Sequence, residues 1–292
     1  MAIFTLVSAT GAPGVTTSAL GLALAWPRDV VLVEADRTAS QALLAGYFSG
    51  VAAGGRGLTS VAQAYRDGLD LADDLPSHFV EFPTEIAGRV KRWFVPGFAR
   101  PGSSQLFEPV WPELCATLAD FDRLGIDAIV DAGRWGATGL PGDLVANTRC
   151  LVLVTRASLR ALAALRLYMH DIDSATSTIT GCSTGLLVVG PGEPYNGREI
   201  SEQFHLPVWG EIPWQPADAA GLSDGEPVKR RAELRPLSRA FDVTASSLRG
   251  VAQAWDKKIG RSSSFDSRPD GYVRDKSFLT LLSASSRPVT TG

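Results

Sequence analysis

The chain has 292 residues, 45% hydrophobic and 20% charged, with a formal net charge of −3. That length suits one large or two modest domains of ordinary globular composition, and the slightly acidic balance argues against a nucleic-acid coat as its main business. Three widely spaced cysteines, Cys115, Cys150 and Cys182, fit neither a disulfide framework nor a zinc site and read as reduced core thiols of a cytoplasmic protein. The start of the chain lacks a basic n-region, and residues 3–8 are too short, and too soon broken by Gly11, for a signal h-region. No apolar run approaches the ~18 residues of a membrane span.

Taken in chain order, residues 3–7 predict a strand, a small glycine turn follows, and residues 17–25 predict a helix. A second strand is expected at 30–33, then a glycine-rich loop at 49–57 and a helix at 59–67. Next come a strand at 93–98, a loop at 98–106, a helix at 112–124 and a strand at 128–130. The second half adds strands at 151–154, 186–189 and 208–212, with helices at 158–172 and 198–204 between them. Several strands are apolar without alternation, which suits burial on both faces. Repeated strand–helix alternation implies right-handed crossovers and a mostly parallel sheet of about seven strands covered on both sides.

After Trp214 the pattern becomes that of a helical C-terminal section. Residues 229–249 carry six basic and two acidic side chains. A solvated helix face is the plain reading; weak peripheral contact with a membrane or DNA is the alternative. Residues 257–292 are Ser/Arg-rich with little periodicity and read as a disordered tail beyond a single domain at 1–256. The tail's one apolar cluster, residues 278–282, is too short to bind a membrane firmly by itself.

The chemistry-bearing stretch is the turn "TGAPGVTT" at residues 10–17. A phosphate loop aims backbone N–H groups and a helix N-terminus at phosphate oxygens. Its lysine adds charge at the β/γ-phosphates and its Ser/Thr hydroxyl takes Mg²⁺. Here Gly11 and Gly14 supply the turn, Thr16 and Thr17 open the helix, and the lysine position holds Val15. Alone, this signal is weak, and a plain strand-to-helix turn fits it as well. The second strand, however, ends in "VVLVEADR", with Glu34 and Asp36, and a later strand ends in "DAIVDAGRW", with Asp131. In open α/β sheets ligands sit at the carboxyl ends of strands. Three segments thus bring a phosphate-type turn and three carboxylates to one rim, where acids hold Mg²⁺ through water or orient an attacking water.

With those motifs in place the chain resembles the ParA/MinD family of deviant Walker A P-loop ATPases. The loop resembles that family's K-G-G-x-G-K-T-T, "VLVEAD" its second-strand motif, "DAIVDAG" its Walker B strand, and "LPVWGEIPWQP" its late strand near the base. With "CLVLVTRASLRALAALRLYM", five ordered matches span about residues 3 to 254. The resemblance implies a P-loop NTPase-like fold of SIMIBI type, α/β with helices on both faces, and a face-to-face homodimer. It implies ATP and Mg²⁺ as cofactors, held by residues 11–17: Gly11, Ala12, Pro13, Gly14, Val15, Thr16 and Thr17. Thr16 becomes the Mg²⁺ ligand, Asp131 lies in the outer Mg²⁺ shell, and Asp36 stands near the metal and the attacking water as the catalytic acid of an active member.

The departures bear on activity. The family's signature lysine is Thr10 here, the loop lysine is Val15, the first second-strand acid is Glu34, and no asparagine ends the strand "GLLVVG". A lysine facing a triphosphate contributes a few kcal/mol at an effective dielectric of about 20, and losing transition-state stabilisation of that order costs several factors of ten in rate. ATP hydrolysis is therefore not expected unless a basic neighbour such as Arg37 or Arg134 substitutes.

Three functions remain open on the sequence. One is a positioning or scaffold protein with a degenerate site, akin to the pseudo-ATPase localisation factors of pilus (Tad) secretion systems, with a protein partner of that or a partition system. Another is an active ATPase for DNA or division-site partitioning. The third is a Rossmann-type dinucleotide enzyme, weakened by the lack of G-x-G-x-x-G. His78, His170 and His205 are isolated and read as packing residues. Trp135 is a candidate to line the cleft, and Arg134 to meet a phosphate or a partner subunit.

Overall fold

The structure is a computed structural model that describes residues 3–9, 11, 14–50, 54–83, 90–177, 179–225 and 235–258. Its first half contains β1 (Ile3–Ser8), α1 (Val15–Ala25), β2 (Val30–Glu34), α2 (Ala42–Ala45), α3 (Leu58–Arg66), α4 (Leu71–Asp74), β3 (Val80–Glu81), β4 (Arg92–Val95), α5 (Trp111–Asp120) and β5 (Asp127–Arg134). The second half adds α6 (Gly142–Asn147), β6 (Cys150–Arg156), α7 (Leu159–Thr176), β7 (Ser183–Val189), α8 (Gly197–Phe204), β8 (Val208–Ile212), α9 (Pro216–Ser223) and α10 (Arg235–Lys258).

The strands form one eight-stranded sheet in the order β3-β4-β2-β5-β1-β6-β7-β8. All pairings are parallel except β3 with β4. The seven expected strands are present. The eighth, β3, spans two residues, too few to show a period in sequence. The strand expected at 93–98 stops at Val95, before Pro96, which has no N–H for a ladder bond. The order also rules out the dinucleotide-fold reading. There the first two strands are neighbours; here β5 lies between β1 and β2.

Side chains of β1 explain why the sheet needs two covers. Ile3 and Val7 belong to one apolar layer, with residues of α3, α5 and α6. Phe4 and Leu6 belong to the other, with α1 and α10. This alternation is the period of two of a strand, and burial on both faces makes the run read as continuously apolar. α1 is sandwiched between sheet and α10, so it is apolar nearly all round rather than striped. Gly21 on α1 leaves room for the Phe241 ring of α10, which a Cβ there would strike. Gly185 on β7 makes the same allowance for Trp209 of β8.

A buried polar junction ties α1, β5 and α10 together. Trp26, which ends α1, donates its Nε1–H to Asp127 Oδ2 at 2.9 Å. Arg28 and Arg249 approach the same carboxylate at 3.5 Å each. Burial pushes the Asp127 pKa up; Arg28, Trp26 and Arg249 pull it back. Arg249 is the last basic residue of the 229–249 run, and it is engaged inside the fold. Residues 229–234 of that run, and 259–292 of the tail, lie outside the described residues. The three cysteines are free thiols, two buried and one half-buried. Burial pushes Cys115 and Cys150 up to about 12 and Cys182 up to about 11, so all three are protonated and inert near neutrality. No helix among the described residues is long and apolar enough to cross a membrane.

Candidate functional site

The parallel order β2-β5-β1 sets three carboxyl ends side by side. Asp131 on β5 pairs in register with Leu6 of β1 and Glu34 of β2. Ala35 N–H donates to Asp131 O at 2.7 Å, and Trp135 N–H donates to Ser8 O at 2.8 Å, so the rim is stitched by backbone bonds beyond the strands proper. Gly133 takes φ +63°, and a Cβ there would collide with the Asp36 carboxyl. That close approach, needing glycine two residues after Asp131, draws Asp36 in against β5.

Asp131 is fully buried. Its Oδ1 accepts Gly133 N–H at 3.0 Å, while Oδ2 makes no hydrogen bond of normal geometry. Burial pushes its pKa up to about 7; the Thr16 hydroxyl and Gly133 N–H oppose this, and the Glu34 and Asp36 charges add to it. Glu34, 3% exposed, accepts from Gly97 N–H at 3.1 Å and from Ser40 Oγ at 3.3 Å. Burial is the main cause that raises its pKa, with the Gly97 and Ser40 bonds opposing and Asp36 adding to it. Asp36 is half-buried, and its Oδ1 accepts Thr38 N–H at 2.8 Å. Ser40 and Gly97 are supporting residues with no sign in the sequence, since neither belongs to a recognisable motif with Glu34.

The turn beside these acids joins two glycines to a helix N-terminus, the geometry a phosphate cradle requires. Gly11 and Gly14 have φ of +76° and +95°, and a Cβ at either would meet open space. α1 begins at Val15, two residues earlier than expected, with Gly14 as its N-cap and no side-chain cap. With glycine as N-cap, no N-cap side chain occupies its first N–H groups. Thr16 and Thr17 are half-buried, Thr16 toward Asp131. Thr10, Ala12 and Pro13 lie outside the described residues.

Val15 differs in kind from a lysine position. It is 6% exposed and belongs to the apolar layer of Leu6, Ala19 and Leu44. Of the two basic candidates, Arg37 is spent on structure: it donates to Thr138 Oγ1 at 2.8 Å, to Trp135 O at 3.2 Å and to Gly139 O. Arg134 is exposed, and its Nε–H donates to Gly11 O at 2.7 Å, which lays the guanidinium across the turn. Trp135 is 2% exposed and lies in the core, not in the cleft, because its backbone is pinned to Ser8.

Whether Mg²⁺-ATP fits this set can be judged from the donors. Backbone amides and Thr16 are in place, but the position that the resemblance assigns to a lysine holds Val15, inside the core. No group of three or more His, Cys, Asp or Glu side chains among the described residues is placed to hold a metal ion. The turn thus offers a helix N-terminus and the Thr16 hydroxyl, with valine rather than lysine at position 15.

No protein-family model matches the sequence, and no curated protein matches it. Solved structures do. The cell division ATPase MinD of Pyrococcus furiosus superposes with a TM-score of 0.62 at 19% identity, covering 86% of this chain and 99% of its own. The septum site-determining protein MinD of Pyrococcus horikoshii, complexed with Mg-ADP, gives 0.57 at 18% identity over 87% and 98%. A ParA family ATPase from Chlorobium tepidum gives 0.59 at 16% identity over 84% and 97%. The chain has the fold of the MinD and ParA ATPases.

Proposed function

We propose that the protein is a ParA/MinD-like positioning or scaffold factor that neither hydrolyses ATP nor depends on it. The observation that carries this reading is Val15, whose side chain is part of the core where the active relatives of this fold resemblance carry a lysine. Elsewhere the rim keeps its shape: the glycine turn, the uncapped start of α1 and the Glu34–Asp36–Asp131 acids. A rim with this shape but with no lysine at position 15 is suited to holding a surface for a partner rather than to turning over a nucleotide. The same rim, with exposed Arg134 at its centre, is the face proposed for a homodimer that forms without nucleotide. A partner from a pilus, secretion or partition system is the biological setting this reading favours over an active partition ATPase.

Calorimetric titration with Mg²⁺-ATP, alongside a phosphate-release assay, tests it. The expected result is no heat of binding up to about 1 mM and no turnover above background; a Kd of 1 mM corresponds to about −4.1 kcal/mol. Saturable binding in the micromolar range, or steady turnover, defeats the proposal. A second reading, in which Arg134 supplies the missing charge, rests on its bond to Gly11. Under it, micromolar binding is present and Arg134→Ala abolishes it.

A further inference from the structure

At the far edge of the sheet, α8, β8 and α10 enclose an open groove of about 1260 Å³. β8 pairs with β7 alone among the described strands, so its outer backbone edge faces this groove. Such an edge is a template for one more strand. The wall toward α10 includes Val243, a large apolar residue that is 63% exposed. Behind it Thr244, 1% exposed, has a hydroxyl with no hydrogen-bond partner, which is uncommon for a buried polar group. Gly210 of β8 lies so close to Thr244 that a Cβ there would strike it. The rim mixes signs, with Arg198 and Arg239 against Glu211 and Asp242.

We propose that residues 278–282 of this chain, Phe-Leu-Thr-Leu-Leu, add an extended strand to the free edge of β8 and fill this groove. The segment alternates Phe278, Thr280 and Leu282 on one side with Leu279 and Leu281 on the other. Its preceding residues, Arg274, Asp275 and Lys276, carry both signs, as does the rim.

Reach supports an occupant from the same chain. Val243 lies 15 residues before Lys258, the last described residue of α10, which is about 22 Å along a helix. Residues 259–277 join that end to the segment. A random coil of that many residues has a root-mean-square span of about 24 Å. Span and linker match, the condition under which a tethered segment is held at millimolar effective concentration.

Amide hydrogen exchange across residues 206–213 tests the assignment in the full-length protein. Leu279→Asp/Leu281→Asp should speed exchange of β8 at least tenfold, because a charged segment no longer docks. Val243→Arg, on the exposed groove wall, should do the same. A synthetic peptide of residues 274–286, added to the double-Asp protein, should restore slow exchange. Equal exchange rates in the parent and in both variants overturn the proposal. So does slow exchange that persists in the double-Asp protein and rises with protein concentration, since the occupant is then a second copy.

Discussion

Lysine at position 15 separates a core residue from an emptied phosphate site. Val15 is 6% exposed at the first position of α1. Replacing it with lysine forfeits part of the ~1.5–3 kcal/mol that burying a valine contributes, although the lysine stem recovers some of that. The ammonium then starts from a position inside the apolar layer, where an unpaired buried charge costs several kcal/mol unless it reaches water. The positive end of α1 adds roughly 0.3–1 kcal/mol against a cation. Even with the ammonium bent toward solvent, the net loss is at least about 2 kcal/mol. For a domain of ~150–250 residues that lowers Tm by roughly 4–8 °C.

Thermal melting followed by circular dichroism measures the first effect, and calorimetry with Mg²⁺-ATP the second. Both Val15→Lys and the double variant Thr10→Lys/Val15→Lys should melt lower and still give no binding heat. The reasoning is refuted if the double variant melts as the parent does and binds ATP at least tenfold more tightly, a gain of about 1.4 kcal/mol. That result would mean the turn had lost only its charges.

Three further substitutions probe the rim and the core. Asp131 has its folded pKa raised from 3.8 to about 7, so between those values the folded state holds a proton that the unfolded state has lost, and stability falls as pH rises through that window. In Mg²⁺-free buffer Asp131→Asn, which keeps an acceptor for Gly133 N–H, should therefore melt above the parent at pH 8, with the gap closing toward pH 4; a gap constant across pH contradicts this. Trp26→Phe removes the donor to buried Asp127 and should cost about 1–3 kcal/mol in urea unfolding; a loss below about 0.5 kcal/mol would show that the two arginines carry the junction alone. Gly21→Ala gains up to ~1 kcal/mol in helix propensity but drives a Cβ into the Phe241 ring, where overpacking costs typically ~1–3 kcal/mol, so a net destabilisation is expected; a stabilised variant would mean that α10 yields easily.

The positions that were legible in the sequence, and those that were not, differ in how local their cause is. Strands buried on both faces, such as residues 151–154 inside β6, are visible because every side chain of the run must be apolar. The Glu34, Asp36 and Asp131 acids are visible because a strand end marks where the next residues must lie, and a parallel sheet puts those ends on one rim. β3 is invisible because two residues cannot carry a period, and its pairing with β4 is decided by Val80 and Glu81 meeting Phe94 and Trp93 across the chain. The fate of Arg37 and Arg134 is equally non-local. Both are basic, both sit within two residues after a rim acid or glycine, and nothing in their neighbours distinguishes them. Arg37 is consumed because the 135–139 turn presents two carbonyls and a hydroxyl to it. Arg134 stays exposed because the bulge between Leu6 and Ser8 shifts its register, which carries it past the strand and over Gly11. Val15 is the instructive case between these extremes. A valine in a lysine position shows the charge to be missing, but only the packing of α1 between sheet and α10 makes that side chain part of the core. Substitutions at the rim should for that reason report on stability before they report on nucleotide, since the turn is anchored by the same apolar layer that holds α1 in place.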